Sequence, residues 1–321
     1  MKGDRLLLEP IIPFEPVSTD VIPQGEQWIA QIKWDGVRIL TYWDGQQVSL
    51  YNRKRNPRSV QFPELLDIKR YCKASSIILD GEVIAFDNGR PSFHEVMKRD
   101  GIRKEANVER AKEQTPIAYM IFDVLFCNGE WVTHLPLQSR MELLSEWIVP
   151  QEDVLIVESF HDPEVLYQVT VQHELEGIVC KDLTSIYSVN EKNRRWQKKK
   201  IFRDLNAVVG GFTLSNGLIN ALLFGVYDEL GQLQYIGHAG RGKMKQAEWE
   251  ALSEMLKQLI QPKKAFVNQP ERYKEAVWVK PLLTAKLQFL EWTKGRTLRQ
   301  PVIQAFVNVS PEECKSPPIK L

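Results

Sequence analysis

The chain has 321 residues, 43% of them apolar, which is enough for the cores of two ordinary globular domains and excludes general disorder. Lys+Arg 42 against Asp+Glu 41 leaves a formal net charge of +1, so any polyanion has to be bound by a local basic face and not by overall charge. Four widely separated cysteines, Cys72, Cys127, Cys180 and Cys314, form no C-x-x-C pair, which argues against a zinc ribbon or a disulfide framework and for a reducing cytoplasm.

Met1 to Arg5 lead into a short apolar patch that stops at Glu9-Pro10, too short for a signal core, and no apolar run reaches membrane-spanning length. No membrane association is expected. Residues 6 to 25 carry Pro10, Pro13, Pro16 and Pro23 and read as an extended lead-in without regular structure. Trp28, Ile29, Ala30 and Ile32 then form a strand-like run, and Val37, Ile39, Leu40, Tyr42 and Trp43 resume a β pattern after Gly36. Lys33 sits where one strand turns into the next, in Lys33-Trp34-Asp35-Gly36-Val37-Arg38. It reads either as a nucleophile, since a free amine can attack phosphorus, or as a surface lysine beside a turn.

Asp44-Gly45 signals a hairpin into a returning strand through Val48, Leu50 and Tyr51. The next stretch, Asn52 to Arg58, places Arg53, Lys54, Arg55 and Arg58 in one loop suited to phosphate. Phe62 to Tyr71 has helical spacing with Phe62, Leu65, Leu66 and Ile68 on one face. Ile77 to Phe86 is an apolar strand interrupted by Asp80 and Glu82, acids that are costly to bury unless paired or metal-bound. Residues 92 to 114 look helical, with a charged, solvated C-terminal part. Ile117 to Phe126 is a further strand, whose Phe122 reads as core or as a stacking ring, and Gln138 to Trp147 is a helix.

Leu175 to Lys181 repeats the theme of an acid, Glu176, beside a glycine in a strand, with a lysine at its end. Lys192, Arg194, Arg195, Lys198, Lys199, Lys200 and Arg203 then crowd around Trp196, and strand alternation puts Lys198 and Lys200 on one face, a pair suited to polyphosphate. After Asp204 come short strands over Ala207 to Phe212, Leu218 to Tyr227, Leu233 to Gly237 and Val277 to Phe289, with a helix from about Lys245 to Leu259. That order predicts a small Greek-key barrel of the oligonucleotide-binding (OB) type.

The ordered set Lys33-x-Asp35-Gly36-x-Arg38, Arg53, Asp80-Gly81-Glu82, Tyr119-x-x-Phe122-Asp123, Glu176-Gly177-x-Val179-x-Lys181 and Trp196-x-Lys198-x-Lys200 resembles the motif series of ATP-dependent DNA ligases. Trp278 to Pro281, Phe289 to Thr293 and Leu298 to Pro301 resemble the second domain of bacterial end-joining ligases. The resemblance implies an α+β fold: a mainly antiparallel-sheet nucleotidyltransferase domain over residues 1–204, then an OB β-barrel domain over 205–321. It implies Lys33 as the carrier of AMP, with Asp35, Lys198 and Lys200 in the catalytic set. ATP would be bound by Lys33, Arg38, Arg53, Glu82, Phe122, Lys181, Lys198 and Lys200. Glu82 and Glu176 would hold Mg2+ or Mn2+. Arg38 and Arg53 would meet ribose or the nick phosphate, Phe122 would stack on adenine, and the three lysines would meet the transferring phosphate.

The implied partner is nicked or broken duplex DNA, with a DNA-end-binding protein as a further one, and the expected enzyme is a compact, monomeric, bacterial-type repair ligase associated with the nucleoid. Alternative readings are an RNA ligase, a GTP-using capping enzyme, or a catalytically weak DNA-binding module. Three departures from the family pattern stand out. Gln31 replaces a glutamate two residues before the nucleophile, and Asn190 replaces a glycine. Val302 to Pro311 contain no Lys or Arg where a cation orienting pyrophosphate is usual, so either Arg296 and Arg299 serve instead or loading by ATP is slow.

Overall fold

Two β-sheets meet over the first two-thirds of the chain in a computed structural model that describes residues 8–242, 244–271 and 273–315. The chain divides into two compact units, residues 1–201 and 202–321. In the first, the strands are Glu15–Ser18 (β1), Trp28–Ile32 (β2), Val37–Trp43 (β3), Val48–Asn52 (β4), Ile77–Asp87 (β5), Arg90–Pro91 (β6), Ile117–Cys127 (β7), Glu130–Trp131 (β8), Val154–Ile156 (β9), Gly177–Asp182 (β10) and Lys192–Lys200 (β11). They form a four-stranded sheet in the order β1-β11-β10-β2 and a seven-stranded sheet in the order β4-β3-β5-β7-β8, with β6 on β5 and β9 on β7. Helices Phe93–Asp100 (α1), Val108–Gln114 (α2), Leu137–Trp147 (α3) and Pro163–Gln172 (α4) lie among them. All strand pairings in this unit are antiparallel except β1 with β11 and β7 with β9.

The central strand β5 shows why its apolar run carries two acids. Alternation sends Ile77, Leu79, Val83 and Ala85 into the large core that also takes in Val96, Leu144 and the segment from Phe62 to Tyr71. The opposite face carries Ile78, Asp80, Glu82 and Ile84, so both acids point the same way. On that face Ile78 joins a second core with Leu40, Tyr42, Phe14, Tyr187 and Trp196. The strand is therefore buried on both sides, and only its acids mark which side carries polar contacts.

Several local expectations are corrected. The lead-in is not without regular structure: Glu15–Ser18 pairs in parallel with β11, and Phe14 is fully buried. Phe62 to Tyr71 is not an α-helix but two single 3-10 turns, Pro63–Leu65 and Ile68–Arg70. Its buried residues Phe62, Leu65, Ile68 and Tyr71 recur every third position, the period at which 3-10 side chains eclipse, and the Tyr71 hydroxyl donates to Leu65 O at 2.8 Å. The stretch 92–114 is two helices separated at Gly101 and by a 3-10 turn at Glu105–Asn107. Its charged C-terminal part, from Arg103 to Glu113, is largely exposed as expected, whereas the end of α1 before it is not. Arg99 is fully buried, donating to Gln61 O, Thr115 O and Glu64, and Asp100 accepts from Arg58 at 2.5 Å. Arg58 of the basic loop is thereby part of the structural framework and not a loose phosphate contact.

In the second unit, Arg203–Ser215 (β12), Leu218–Tyr227 (β13), Leu233–Ala239 (β14), Ala276–Trp278 (β15), Thr284–Phe289 (β16) and Val302–Val307 (β17) build an antiparallel sheet in the order β14-β13-β12-β16-β17. The long β12 pairs with β16 over its first half and with β15 over its second. Irregularities at Val209/Gly211 and Thr213/Leu214 bend it, which lets one strand serve two partners and curls the sheet around Phe212, Leu222, Phe224 and Leu287. The helix Gln246–Gln258 (α5) closes this core with Trp249, Leu252 and Leu256. β17 was not anticipated from sequence; Gln304 on it donates to Gln288 at 3.2 Å, while Arg299 before it pairs with Glu291 at 2.9 Å and Arg296 occupies a left-handed turn position (φ +57°). No helix among the described residues is long and apolar enough to cross a membrane.

Candidate active site

The basic and acidic side chains converge where the ends of β2, β10 and β11 meet. Register sets the face: Val179 lies opposite both Gln31 and Lys198, Lys181 opposite Trp196, and Gly177 opposite Lys200. By alternation Gln31 and Lys33 project on the side shared by Lys181, Trp196, Lys198 and Lys200. The Lys33 backbone N–H donates to Gly177 O at 2.9 Å, which extends the ladder to the lysine itself.

Two glycines are required by close backbone approach. A Cβ on Gly36 would stand 2.1 Å from Val83 O, and one on Gly177 would stand 2.1 Å from Lys199 O. Gly177 also adopts φ +134°, which strains any L side chain. The glycine after Asp35 thus lets the turn after Lys33 pack on β5, and the glycine after Glu176 lets the start of β10 approach β11.

Lys33 Nζ donates to Glu176 Oε2 at 2.5 Å, and Lys200 Nζ pairs with Glu176 Oε1 at 2.9 Å. One carboxylate therefore holds two ammonium groups, one per oxygen. Burial pushes the Glu176 carboxyl up, but Lys33 and Lys200 outweigh it and hold it below the ordinary glutamate value. Lys198 stands among cations. Burial, with Lys192, Lys33 and Lys200 nearby, pulls its ammonium below the ordinary lysine value, as expected for a group awaiting an anion.

On the opposing sheet, Arg38 grips Asp80 through two parallel bonds, Nε to Oδ1 at 2.9 Å and Nη2 to Oδ2 at 2.6 Å. Glu82, cross-strand partner of Arg38, has its carboxyl pushed up to about 8 by burial, against the pull of Lys33 and Arg38 and with the push of Glu176 and Asp35. Asp35 thus lies within reach of the same field. Phe122 owes its aim to a bulge: Asp80 pairs with Asp123 and Gly81 with Ile121, so Phe122 is the unpaired residue between them. Its ring lies 5.3 Å from the Arg38 guanidinium and 4.3 Å from Lys181 Nζ.

Lys181 is buried between two rings. Its Nζ is 4.3 Å from the centre of Phe122, 4.0 Å from Trp196, and donates to Phe122 O at 3.4 Å. Burial, partly offset by Asp123 and Asp80, lowers this ammonium to about 7. Arg53 is the exception among the candidates. It is 62% exposed, and its one ion pair among the described residues is a loose 3.8 Å contact with Glu15. The structure thus brings Lys33, Glu176, Lys198 and Lys200 into one cluster on a face shared with Lys181, which reaches across to Phe122, sets Arg38, Glu82 and Phe122 on the opposing sheet, and leaves Arg53 outside their contacts.

Tyr187 and Ser159, which the sequence does not single out, complete the walls together with Trp196 of the last motif. Tyr187 donates to Asp80 Oδ2 at 2.7 Å, Trp196 stacks on Lys181, and Ser159 accepts from Gln31 Nε2 at 2.9 Å. Trp196 was within reach of sequence reasoning, since it alternates with Lys198 and Lys200. Tyr187 and Ser159 come from loops and carried no periodic signal.

No group of three or more His, Cys, Asp or Glu residues among those described forms a metal cage. The donors nonetheless fit magnesium, which takes one or two protein carboxylates and leaves its other positions to water and substrate phosphates. Glu82 and Glu176 are the carboxylates on hand, and burial raises the Glu82 carboxyl to about 8 even with Lys33 and Arg38 nearby, so a divalent ion would have to displace its proton. A separate open concavity of about 470 Å3 in the second unit, bordered by Tyr235, His238, Glu271 and Gln300, holds none of these residues.

Two family models match this chain in order. The ATP dependent DNA ligase domain matches residues 14–200, and the ATP dependent DNA ligase C terminal region matches residues 215–307. A DNA ligase of Thermococcus fumicolans is 27% identical over 318 residues, covering 92% of this chain and 55% of that protein. The multifunctional non-homologous end joining DNA repair protein LigD of Mycobacterium tuberculosis is 28% identical over 291 residues, covering 86% of this chain and 36% of that one. Among solved structures, the ligase domain of M. tuberculosis LigD superposes with a TM-score of 0.52 at 25% identity, covering 96% of this chain and 98% of that one. The α+β nucleotidyltransferase and OB-fold architecture is therefore shared. The chain spans about half the length of the first curated relatives it matches. With both regions matched in order and the first alone covering more than half of the chain, this protein belongs to the ATP-dependent DNA ligase family.

Proposed function

We propose that the chain joins a 5′-phosphate to an adjacent 3′-hydroxyl in duplex DNA, using ATP and carrying AMP on Lys33. The observation that carries this reading is the single carboxylate of Glu176 holding Lys33 and Lys200, with Lys198 beside them. It presents one amine at a strand end within a ring of cations.

The steps balance as follows. Lys33 Nζ gives up a proton and bonds to the α-phosphorus of ATP, and the bond to pyrophosphate breaks. The AMP is then transferred from Lys33 to the 5′-phosphate at the nick, and the lysine regains a proton. The 3′-hydroxyl next attacks that phosphate, loses its proton and releases AMP. Such transfers gain mainly from positioning and from cations around the transition-state charge. Lys181, Lys198 and Lys200 supply that charge, Phe122 offers a face to adenine, and Arg38 meets the ribose or the nick phosphate, a role Arg53 could share only by leaving its loose contact with Glu15. Asp35, in the turn after Lys33, adds negative charge to the Glu82 side of the site. Glu82 and Glu176 would hold a divalent ion, which, when bound, screens the phosphate charge. The substrate would be nicked or broken DNA, with a DNA-end-binding protein as partner in repair.

A nick-sealing assay with ATP and Mg2+ tests this. Sealed nicked DNA with ATP is the expected product; sealing of RNA alone, or preference for GTP, would replace the proposal with an RNA ligase or capping reading. No AMP on the purified protein after incubation with ATP would point instead to a DNA-binding module.

Lys181 gives a second expected result. Its ammonium, lowered to about 7 in the free protein, should be held protonated beside a bound phosphate, so ATP binding should take up protons from solution. Uptake should be small at about pH 6, where the group is already charged, and should grow towards about pH 8, where it is mostly neutral. Calorimetry in two buffers of different ionisation enthalpy reads this directly, and Lys181→Met should remove most of the pH-dependent part.

A further inference from the structure

Arg38 is the most tightly held cation at the site, and its hold is only half explained by Asp80. Of its five N–H groups, Nε and one on Nη2 go to Asp80, and a second on Nη2 goes to the Tyr187 hydroxyl at 3.2 Å. The two on Nη1 have no partner among the described residues, although the side chain is only 11% exposed. The fork is thus clamped along one edge and presents the other.

The Tyr187 hydroxyl is saturated. It donates its one proton to Asp80 Oδ2 at 2.7 Å and accepts from Arg38 Nη2 and from the Phe14 backbone N–H at 3.1 Å. Its ring is wedged against Phe14 at 5.9 Å and Trp196 at 5.8 Å. Behind it, Arg140 pairs twice with Asp123 in full burial, lies 5.7 Å from the Tyr187 ring, and donates to Ser185 O at 3.1 Å. Tyr187 N donates to Thr133 O at 2.9 Å, tying the loop to the segment before α3. The loop that bears Tyr187 is therefore braced from behind, and the hydroxyl has no slack to give.

We propose that Tyr187 is a positioning residue that fixes the Asp80–Arg38 fork so that the unpartnered Nη1 edge of Arg38 faces the phosphate or ribose of the substrate. The Phe14 N–H makes the lead-in segment part of that clamp. This rests on the reading of Lys33 as the AMP carrier.

The test is a double-mutant cycle on the full chain, following AMP loading from radiolabelled ATP. Tyr187→Phe keeps the ring contacts and removes only the hydroxyl. It should lower the second-order loading rate by about tenfold, chiefly through a higher KM for ATP, with a melting midpoint lowered by only a few degrees because the buried Phe14 N–H loses its acceptor. In an Arg38→Lys background the same change should cost less than about twofold, because the fork it aims is already gone. Equal losses in both backgrounds, or a lower maximal rate at unchanged KM, would overturn the proposal. Should Tyr187→Phe fail to fold, Asp80→Asn, which loosens the clamp from its other side, should show the same KM effect and the same silence behind Arg38→Lys. If the unaltered protein takes no label at all, the Lys33 reading fails first and this one with it; labelled wild type with additive variants defeats this one alone.

Discussion

Lys33→Ala should take up no label from ATP carrying the isotope in its α-phosphate, a loss on the order of a thousandfold or more. The amine is the atom that bonds to phosphorus, and no neighbour can stand in for it. Lys200 is tied to the other oxygen of Glu176 at 2.9 Å, and Lys198 lies on a different strand from Lys33. The change should leave folding nearly intact. Lys33 is only partly buried, and Glu176 keeps Lys200 as a partner after the substitution. Supplied with a nick already bearing 5′-AMP, the variant should still seal it, since the last step does not use the lysine. Normal labelling of Lys33→Ala would sink the assignment, and loss of both reactions together with a lowered melting midpoint would reveal a folding defect instead.

Arg140→Ala should have the largest effect on stability. Arg140 and Asp123 are both fully buried and joined by two bonds of 2.7 and 3.0 Å, with further donation from Arg140 to Leu135 O at 2.6 Å and Ser185 O at 3.1 Å. Removing the cation leaves a buried carboxylate with only the Val124 N–H at 2.9 Å, and two carbonyls lose a donor. Stranding one member of such a pair costs about 3–5 kcal/mol, which for a unit of this size lowers the melting midpoint by roughly 10 °C. Thermal unfolding followed by near-ultraviolet circular dichroism measures it. A shift below about 2 °C would mean that water or a rearranged side chain reaches Asp123. Replacing both members with apolar residues should recover most of the loss, because the cost lies in the unpaired charge.

Strand pattern was legible wherever one face was apolar and the other was not. Trp28–Ile32, Val37–Trp43 and Gly177–Asp182 lie where alternation and glycine breaks put them, and Lys198 and Lys200 share a face as period two requires. β1 escaped notice because prolines at 13 and 16 mask a strand that needs only a parallel edge partner, and α4 because its exposed Val165, Val169 and Val171 blur the usual polar face. The turns at 62–71 were misread because a three-residue period and a 3.6-residue period differ little over ten residues. Charged residues differ from their sequence reading in another way: Arg58, grouped with a phosphate-binding loop, pairs with Asp100, and Arg99 is buried and donates to backbone carbonyls.

By itself the sequence determined the order of chemical groups: an amine at a strand end, acids at alternate positions of one strand, and two lysines on one face. Those are consequences of backbone period, which any chain with this pattern shares. Only the tertiary structure decided which groups meet. Glu176 lies 143 residues from Lys33 and Tyr187 lies 107 from Asp80, and no local rule links them. The site depends on antiparallel register between distant strands, on two glycines that admit a backbone oxygen where a Cβ would clash, and on a bulge that leaves Phe122 out of the ladder. The same long-range geometry leaves Arg53 beside Glu15, although the sequence grouped it with the rest.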